Sequence, residues 1–272
     1  MKRVFNFSPG PSALPLEVLE QAQRDLVCYK DTGMSVMEMS HRSKMFESII
    51  ESARTSLRSL MNIPDDYHIL FLQGGASTQF AMTALNLMQD KSAYYINTGV
   101  FAGKALKEAQ RFGNAIEIAS SKADKFTYIP EIKGSDLPND AAYLHIATNN
   151  TIVGSQFNTL PDTHGVPLVG DMSSNILGKD YDTSKFSLIY AGAQKNMAPA
   201  GATIVIIKDE LLGKAMDITP TMLDYKTHAD KGSMYNTPPC WSIYIASLVL
   251  KWVENQGGVA EVEKKNIKKT DY

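Results

Sequence analysis

The sequence predicts an α/β fold in which a mainly parallel sheet is covered by helices on both faces. Seven short apolar or β-rich runs alternate with stretches of helical periodicity, the pattern of strands joined by crossover helices. Two of those runs end in a single charged residue each, of opposite sign. The chain has 272 residues, 44% hydrophobic and 21% charged, enough for one large core, alone or with a small appendage. There are no internal repeats and no low-complexity segment.

The elements follow in order. Pro15 to about Lys30 reads as a helix, with the proline near its first turn and Val18, Leu19, Ala22 and Leu26 on one face. Ser43 to Met61 places Phe46, Ile49, Ile50, Ala53, Leu57, Leu60 and Met61 at helical spacing. Strands are expected at His68 to Leu72, Ala93 to Asn97, Ala115 to Ala119, Ala142 to Ala147, Val166 to Gly170, Phe186 to Ala191 and Ala202 to Lys208. Helices at Thr78 to Met88 and Phe101 to Phe112 separate several of them. A further helix, Ser242 to Asn255, stops at Gly257-Gly258, and a strongly charged one starts at about Val259.

The run Phe186-Ser187-Leu188-Ile189-Tyr190-Ala191-Gly192-Ala193-Gln194 delivers Lys195 just past a buried strand. Partial desolvation there lowers an amine's pKa and leaves a neutral group able to condense with an aldehyde. Val166-Pro167-Leu168-Val169-Gly170 delivers Asp171 in the same way. Ligands of α/β sheets sit at the carboxyl ends of strands, so the acid and the amine are expected to face one crevice. Pyridoxal phosphate needs that pair: an amine for its aldehyde, and a carboxylate that keeps its ring nitrogen protonated. The competing readings are a solvated surface lysine and an aspartate that only caps its turn.

Gln73-Gly74-Gly75-Ala76-Ser77-Thr78 follows the first strand and opens a helix, so the amides of Ala76 and Ser77 can cradle a phosphate dianion. The loop is neither a Walker motif nor GxGxxG, which disfavours nucleotides. A formal net charge of −2 offers no general attraction to nucleic acid or to an anionic membrane. No apolar run approaches the roughly 20 residues of a membrane span, and Met1 to Asn6 lack a signal-peptide core, so a cytoplasmic location is expected. Cys28 and Cys240 have no partner motif, and the five histidines lack ligand spacing, so neither a disulfide nor a metal site is expected.

Several segments together resemble one family. They are Phe5-Asn6-Phe7-Ser8-Pro9-Gly10-Pro11, Ser35-Val36-Met37-Glu38-Met39-Ser40-His41-Arg42-Ser43, Gly74-Gly75-Ala76-Ser77, Asn97-Thr98-Gly99-Val100-Phe101, Asn149-Asn150-Thr151-Ile152-Val153-Gly154, Asp171-Met172-Ser173-Ser174, Ala191-Gly192-Ala193-Gln194-Lys195-Asn196 and Met234-Tyr235-Asn236-Thr237-Pro238-Pro239. In order and spacing, from about residue 3 to about residue 266, they resemble the phosphoserine aminotransferases, which are class V, fold-type I pyridoxal phosphate enzymes.

The resemblance implies amino transfer between L-glutamate and 3-phosphohydroxypyruvate, giving O-phospho-L-serine and 2-oxoglutarate for serine biosynthesis, with pyridoxine biosynthesis as a further use. By motif it makes Lys195 the cofactor-holding lysine, Asp171 the partner of the ring nitrogen, Ala76, Ser77 and Gln194 phosphate contacts, and Thr151 a neighbour of the ring hydroxyl. Phe101 stands where the family places a stacking aromatic, often Trp. Asn236 and Thr237 resemble residues that reach the cofactor phosphate of a neighbouring subunit, which implies a homodimer with shared sites. His41 and Arg42, on chemistry alone an exposed pair, are in the family the contacts for the substrate's distal phosphate or carboxylate.

Pro9 replaces a small hydrogen-bonding residue of some relatives. The expected organisation is an N-terminal arm at 1–15, a cofactor-binding large domain at 16–256, and at 257–272 the start of a helix leading to a small C-terminal domain that is truncated here. Two other readings stand beside this one: another class V enzyme, of serine–glyoxylate or cysteine desulfurase type, and a catalytically silent pyridoxal-phosphate-binding fragment.

Overall fold

A computed structural model describes residues 3–270. Its centre is a seven-stranded sheet in the order β1-β7-β6-β5-β4-β2-β3. The strands are β1 (Tyr67–Leu72), β2 (Ala93–Asn97), β3 (Ala115–Ser120), β4 (Tyr143–Ala147), β5 (Leu168–Asp171), β6 (Leu188–Gly192) and β7 (Thr203–Lys208). Only β7 runs against the others, pairing antiparallel with both β1 and β6. β4, β5 and β6 are buried along their whole length, as central strands covered on both faces must be. All seven expected strands form, with no end displaced by more than two residues.

Helices α1 (Leu16–Asp25), α2 (Lys44–Leu60) and α6 (Cys240–Asn255) accompany one face of the sheet, and α7 (Val259–Thr270) follows α6. On the opposite face lie α3 (Gly75–Leu87), α4 (Val100–Ala109) and the short α5 (Tyr225–Asp230). α2 starts where Ser43 Oγ accepts the Phe46 amide, and it buries Phe46, Ile49, Ile50, Ala53 and Leu57. Five fully committed apolar residues in 17 anchor this helix through packing more than through propensity.

Several helices depart from the sequence reading, and α4 ends at Ala109, three residues before the expected Phe112. α1 stops at Asp25, five residues before the expected Lys30, because Asp25 is buried and its carboxylate accepts from the Tyr244 hydroxyl of α6, after which Lys30 and Asp31 turn the chain with positive φ. α3 starts at Gly75, ahead of the expected Thr78, because Gly74 adopts φ +93° and launches the helix immediately. α5 carries no long apolar period and was not expected; Asp224 caps it by accepting the Lys226 amide.

One glycine is dictated by packing between the layers. A Cβ on Gly170, in the middle of β5, would stand 2.7 Å from a ring carbon of Phe186, which is itself fully buried. The backbone of the strand that carries Asp171 therefore sits as close to its neighbour as side-chain volume allows.

Candidate active site

β4, β5 and β6 end at one edge of the sheet, beside the N-terminus of α3, and a cavity of about 310 Å³ opens there. Asp171, Lys195, Ala76, Ser77, Phe101, Thr151 and Gln194 all line it. The crevice expected at the strand ends thus contains the acid and the amine together.

Lys195 follows β6 after one alanine and one glutamine, and its side chain is half-buried. Its Nζ donates to Thr151 Oγ1 at 2.7 Å and to Ser174 Oγ at 2.8 Å, and the two hydroxyls lie 2.5 Å apart. Burial pulls the amine below its ordinary pKa, and the nearby Asp171 charge opposes the shift in part. A larger share of neutral amine near pH 7 follows, which is what attack on an aldehyde requires.

Asp171 closes β5 and is buried. Its Oδ1 accepts the Ser173 amide at 2.9 Å. Burial pushes its pKa up, against the pull of Ser173, Lys195 and Tyr190 toward the charged form. A carboxylate placed so is costly unless a cation or a donor meets it.

The loop that carries Thr151 is held by amide side chains. Asn150 Oδ1 accepts from the Ile152 and Val153 amides at 3.0 and 3.3 Å, and its Nδ2 donates to the Thr98 carbonyl at 2.6 Å. Thr148 Oγ1 donates to Asn175 Oδ1 at 2.7 Å and so ties the same loop to the turn after β5. On the other side, the N-terminal arm leans on the lysine: the Ser12 amide donates to the Gln194 carbonyl at 3.0 Å, and Pro9 and Gly10 line the cavity.

These residues fit pyridoxal phosphate. α3 has no side-chain cap, so its first amides are free for an anion, and a Cβ at Gly75, where φ is +66°, would meet only open space. Phe101 is 40% exposed, and the Lys195 Nζ stands 5.6 Å from its ring centroid. An aromatic face, an amine, a buried carboxyl and an uncapped helix N-terminus therefore bound one volume of the size small-ligand sites have.

Four sequence-predicted residues lie elsewhere. Asn236 and Thr237 are exposed and outside the cavity; Asn236 borders a separate hollow of about 240 Å³ on the far side of Gly74 and Thr78. Arg42 is exposed, and His41 is half-buried with its Nε2 unpartnered; neither lines the cavity. Conversely, Ser173, Ser174, Asn149 and Phe80 line it without having been singled out. The segment Asp171-Met172-Ser173-Ser174, quoted for the family resemblance without a role for its serines, was the available signal for two of them.

Among the described residues no helix is long and apolar enough to cross a membrane. Cys28 and Cys240 are both free.

Comparison with known proteins accords with this geometry. The family model for class-V aminotransferases matches residues 4–272. A phosphoserine aminotransferase of Bacillus cereus is 56% identical over 267 residues, which is 98% of this chain and 74% of that protein. Among solved structures, the phosphoserine aminotransferase of Bacillus circulans subsp. alkalophilus superposes with a TM-score of 0.94 at 48% identity, over 98% of this chain and 74% of that one. A pyridoxal-phosphate-bound phosphoserine aminotransferase of Trichomonas vaginalis gives 0.89 at 36% identity, over 97% and 74%. The chain thus spans about three quarters of the length of these relatives.

Proposed function

The chain belongs to the class-V aminotransferase family, and from that premise we propose that it is a pyridoxal-phosphate-dependent phosphoserine aminotransferase, moving an amino group between L-glutamate and 3-phosphohydroxypyruvate. The observation that carries this reading is the shared cavity in which the Lys195 amine, the Asp171 carboxyl and the open N-terminus of α3 meet. The silent-fragment and other class-V readings are not favoured beside relatives of this similarity.

When bound, pyridoxal phosphate supplies an aldehyde for amine capture and a ring that accepts carbanion electrons. The rest is done by the chain. The amides of Ala76 and Ser77, at the positive end of α3, would bind the phosphate, with Gln194 also lining the cavity. Phe101 would cover one face of the ring with apolar surface, and Thr151, which lines the same cavity, is assigned to the ring hydroxyl. Asp171 would set a negative charge against the ring nitrogen, and its burial would strengthen that effect. Thr151 and Ser174 hold the free Lys195 Nζ in place, and that atom takes the proton from the substrate Cα and returns it. His41 and Arg42 are assigned to the distal phosphate of one substrate and the distal carboxylate of the other, so that one site serves both halves of a ping-pong exchange.

Glutamate added to the cofactor-loaded chain is expected to convert its visible absorbance to that of the pyridoxamine form, and 3-phosphohydroxypyruvate to reverse the change. An unchanged spectrum with cofactor bound would refute the assignment.

We assign residues 16–256 to the cofactor-binding unit and the assembly to a homodimer with shared sites. Asn236 and Thr237 support the dimer, because both are exposed and neither lines the cavity of its own chain. Light scattering of the loaded protein should give twice the subunit mass. A monomer with full cofactor occupancy would show instead that Asn236 and Thr237 serve no neighbouring site.

A further inference from the structure

Behind Asp171 the sheet carries a row of buried polar side chains that the reaction as described does not use. Asp171 on β5 and Tyr190 on β6 are register partners across a parallel pair, so their side chains leave the same face. His145 on β4 pairs with Val169, two residues before Asp171, and shares that face. The Tyr190 hydroxyl meets His145 Nε2 at 2.7 Å, with the tyrosine 0% and the histidine 1% exposed. His145 is stacked on Tyr95, with ring centroids 4.8 Å apart, and Phe80, which lines the cavity, meets Tyr190 edge-on at 6.2 Å. These rings hold the row rigid.

The direction of its hydrogen bonds can be worked out. Burial pushes His145 down to a pKa of about 3, so the imidazole is neutral and carries one N–H. His145 Nδ1 is buried without a partner. A proton on Nδ1 would bury an unpaired N–H and leave Nε2 to accept from Tyr190, which would spend the tyrosine's only donor away from Asp171. A proton on Nε2 leaves only a bare lone pair unpartnered and lets Tyr190 donate onward. The remaining titratable groups around the row are Lys195, which faces Asp171, and Tyr95, Tyr143 and Tyr225, all raised by burial and therefore neutral.

We propose that His145 and Tyr190 are positioning residues for the reaction, a buried donor row running from His145 Nε2–H to the Tyr190 oxygen and from the Tyr190 hydroxyl toward Asp171, which holds that residue as a carboxylate and aims it at the cofactor's ring nitrogen. The inference rests on the reading of the cavity as a pyridoxal phosphate site. It explains how a carboxyl buried at a strand end stays charged although burial favours its neutral form.

The test uses the purified full chain with added pyridoxal phosphate. Tyr190→Phe keeps the packing and removes the hydroxyl. It is expected to weaken pyridoxal phosphate binding to the apo chain at least about tenfold, to shift the pH at which the loaded chain's visible absorbance changes by about half a unit or more, and to lower kcat with little change in KM. His145→Leu should reproduce those effects, and His145→Gln, whose amide also donates, should restore most of the loss. Cofactor affinity and pH transition both unchanged in Tyr190→Phe would overturn the inference while leaving the functional reading intact. No binding of pyridoxal phosphate to the unsubstituted chain would overturn that reading and the inference together.

Discussion

Replacing Lys195 by Ala is expected to lower kcat by at least about 10³-fold with the fold intact, because on the proposed assignment the variant loses both the covalent anchor and the atom that moves the proton. No second amine can take over at that place: Lys104, the other amine near Phe101, stands 5.6 Å from its ring but is exposed and does not line the cavity. The folded state should tolerate the change, since Lys195 is half-buried and the Thr151 and Ser174 hydroxyls keep their contact with each other. Steady-state kinetics with both substrates, beside a thermal melt, measure the two halves of this expectation. Borohydride reduction of the loaded protein followed by peptide mapping should place the pyridoxyl group on Lys195. Recovery of the label on another lysine, or a kcat within tenfold of the original, would sink the assignment.

Asp171→Ala is expected to lower kcat by about 10²- to 10³-fold, the range seen when a preorganised electrostatic group is removed from a desolvated site. Its effect on stability should run the other way. Burial raises the Asp171 pKa, so without cofactor the folded chain binds this proton more tightly than the unfolded chain does. The apo protein is therefore favoured by that proton at low pH and loses the advantage as pH rises through the folded-state value. Removing the carboxyl relieves this cost and offsets the loss of an acceptor for the Ser173 amide, so the apo Asp171→Ala variant should show no large drop in melting temperature at neutral pH while binding pyridoxal phosphate more weakly. Near-normal turnover, or a large drop in the apo melting temperature, would show that Asp171 works as a structural cap.

The two outcomes differ because the residues pay differently for their positions. Lys195 is half-buried and well bonded, and its chemistry costs the fold little. Asp171 is buried at the end of a central strand, and its charge is useful only once a protonated ring nitrogen faces it.

Much of this site was legible in the amino-acid order alone, for a local reason. Buried parallel strands are continuous apolar runs, so a run that ends in one charged residue announces both the strand and the end at which it meets a ligand; Gly170-Asp171 and the approach to Lys195 are such ends. Gly74-Gly75 before Ala76 and Ser77 announced the open helix N-terminus in the same way, through backbone freedom and free helical amides. What only the tertiary structure decided depends on which strands become neighbours. The order β1-β7-β6-β5-β4-β2-β3, the reversal of β7, the pairing of Ser174 with Lys195 across 21 positions and of His145 with Tyr190 across 45 have no local periodicity to betray them. Tyr190 and His145 read in sequence as ordinary members of buried strands. They become a polar row beside Asp171 because sheet register sends alternate side chains of β4, β5 and β6 to the same face, and register is set by the packing of the whole sheet.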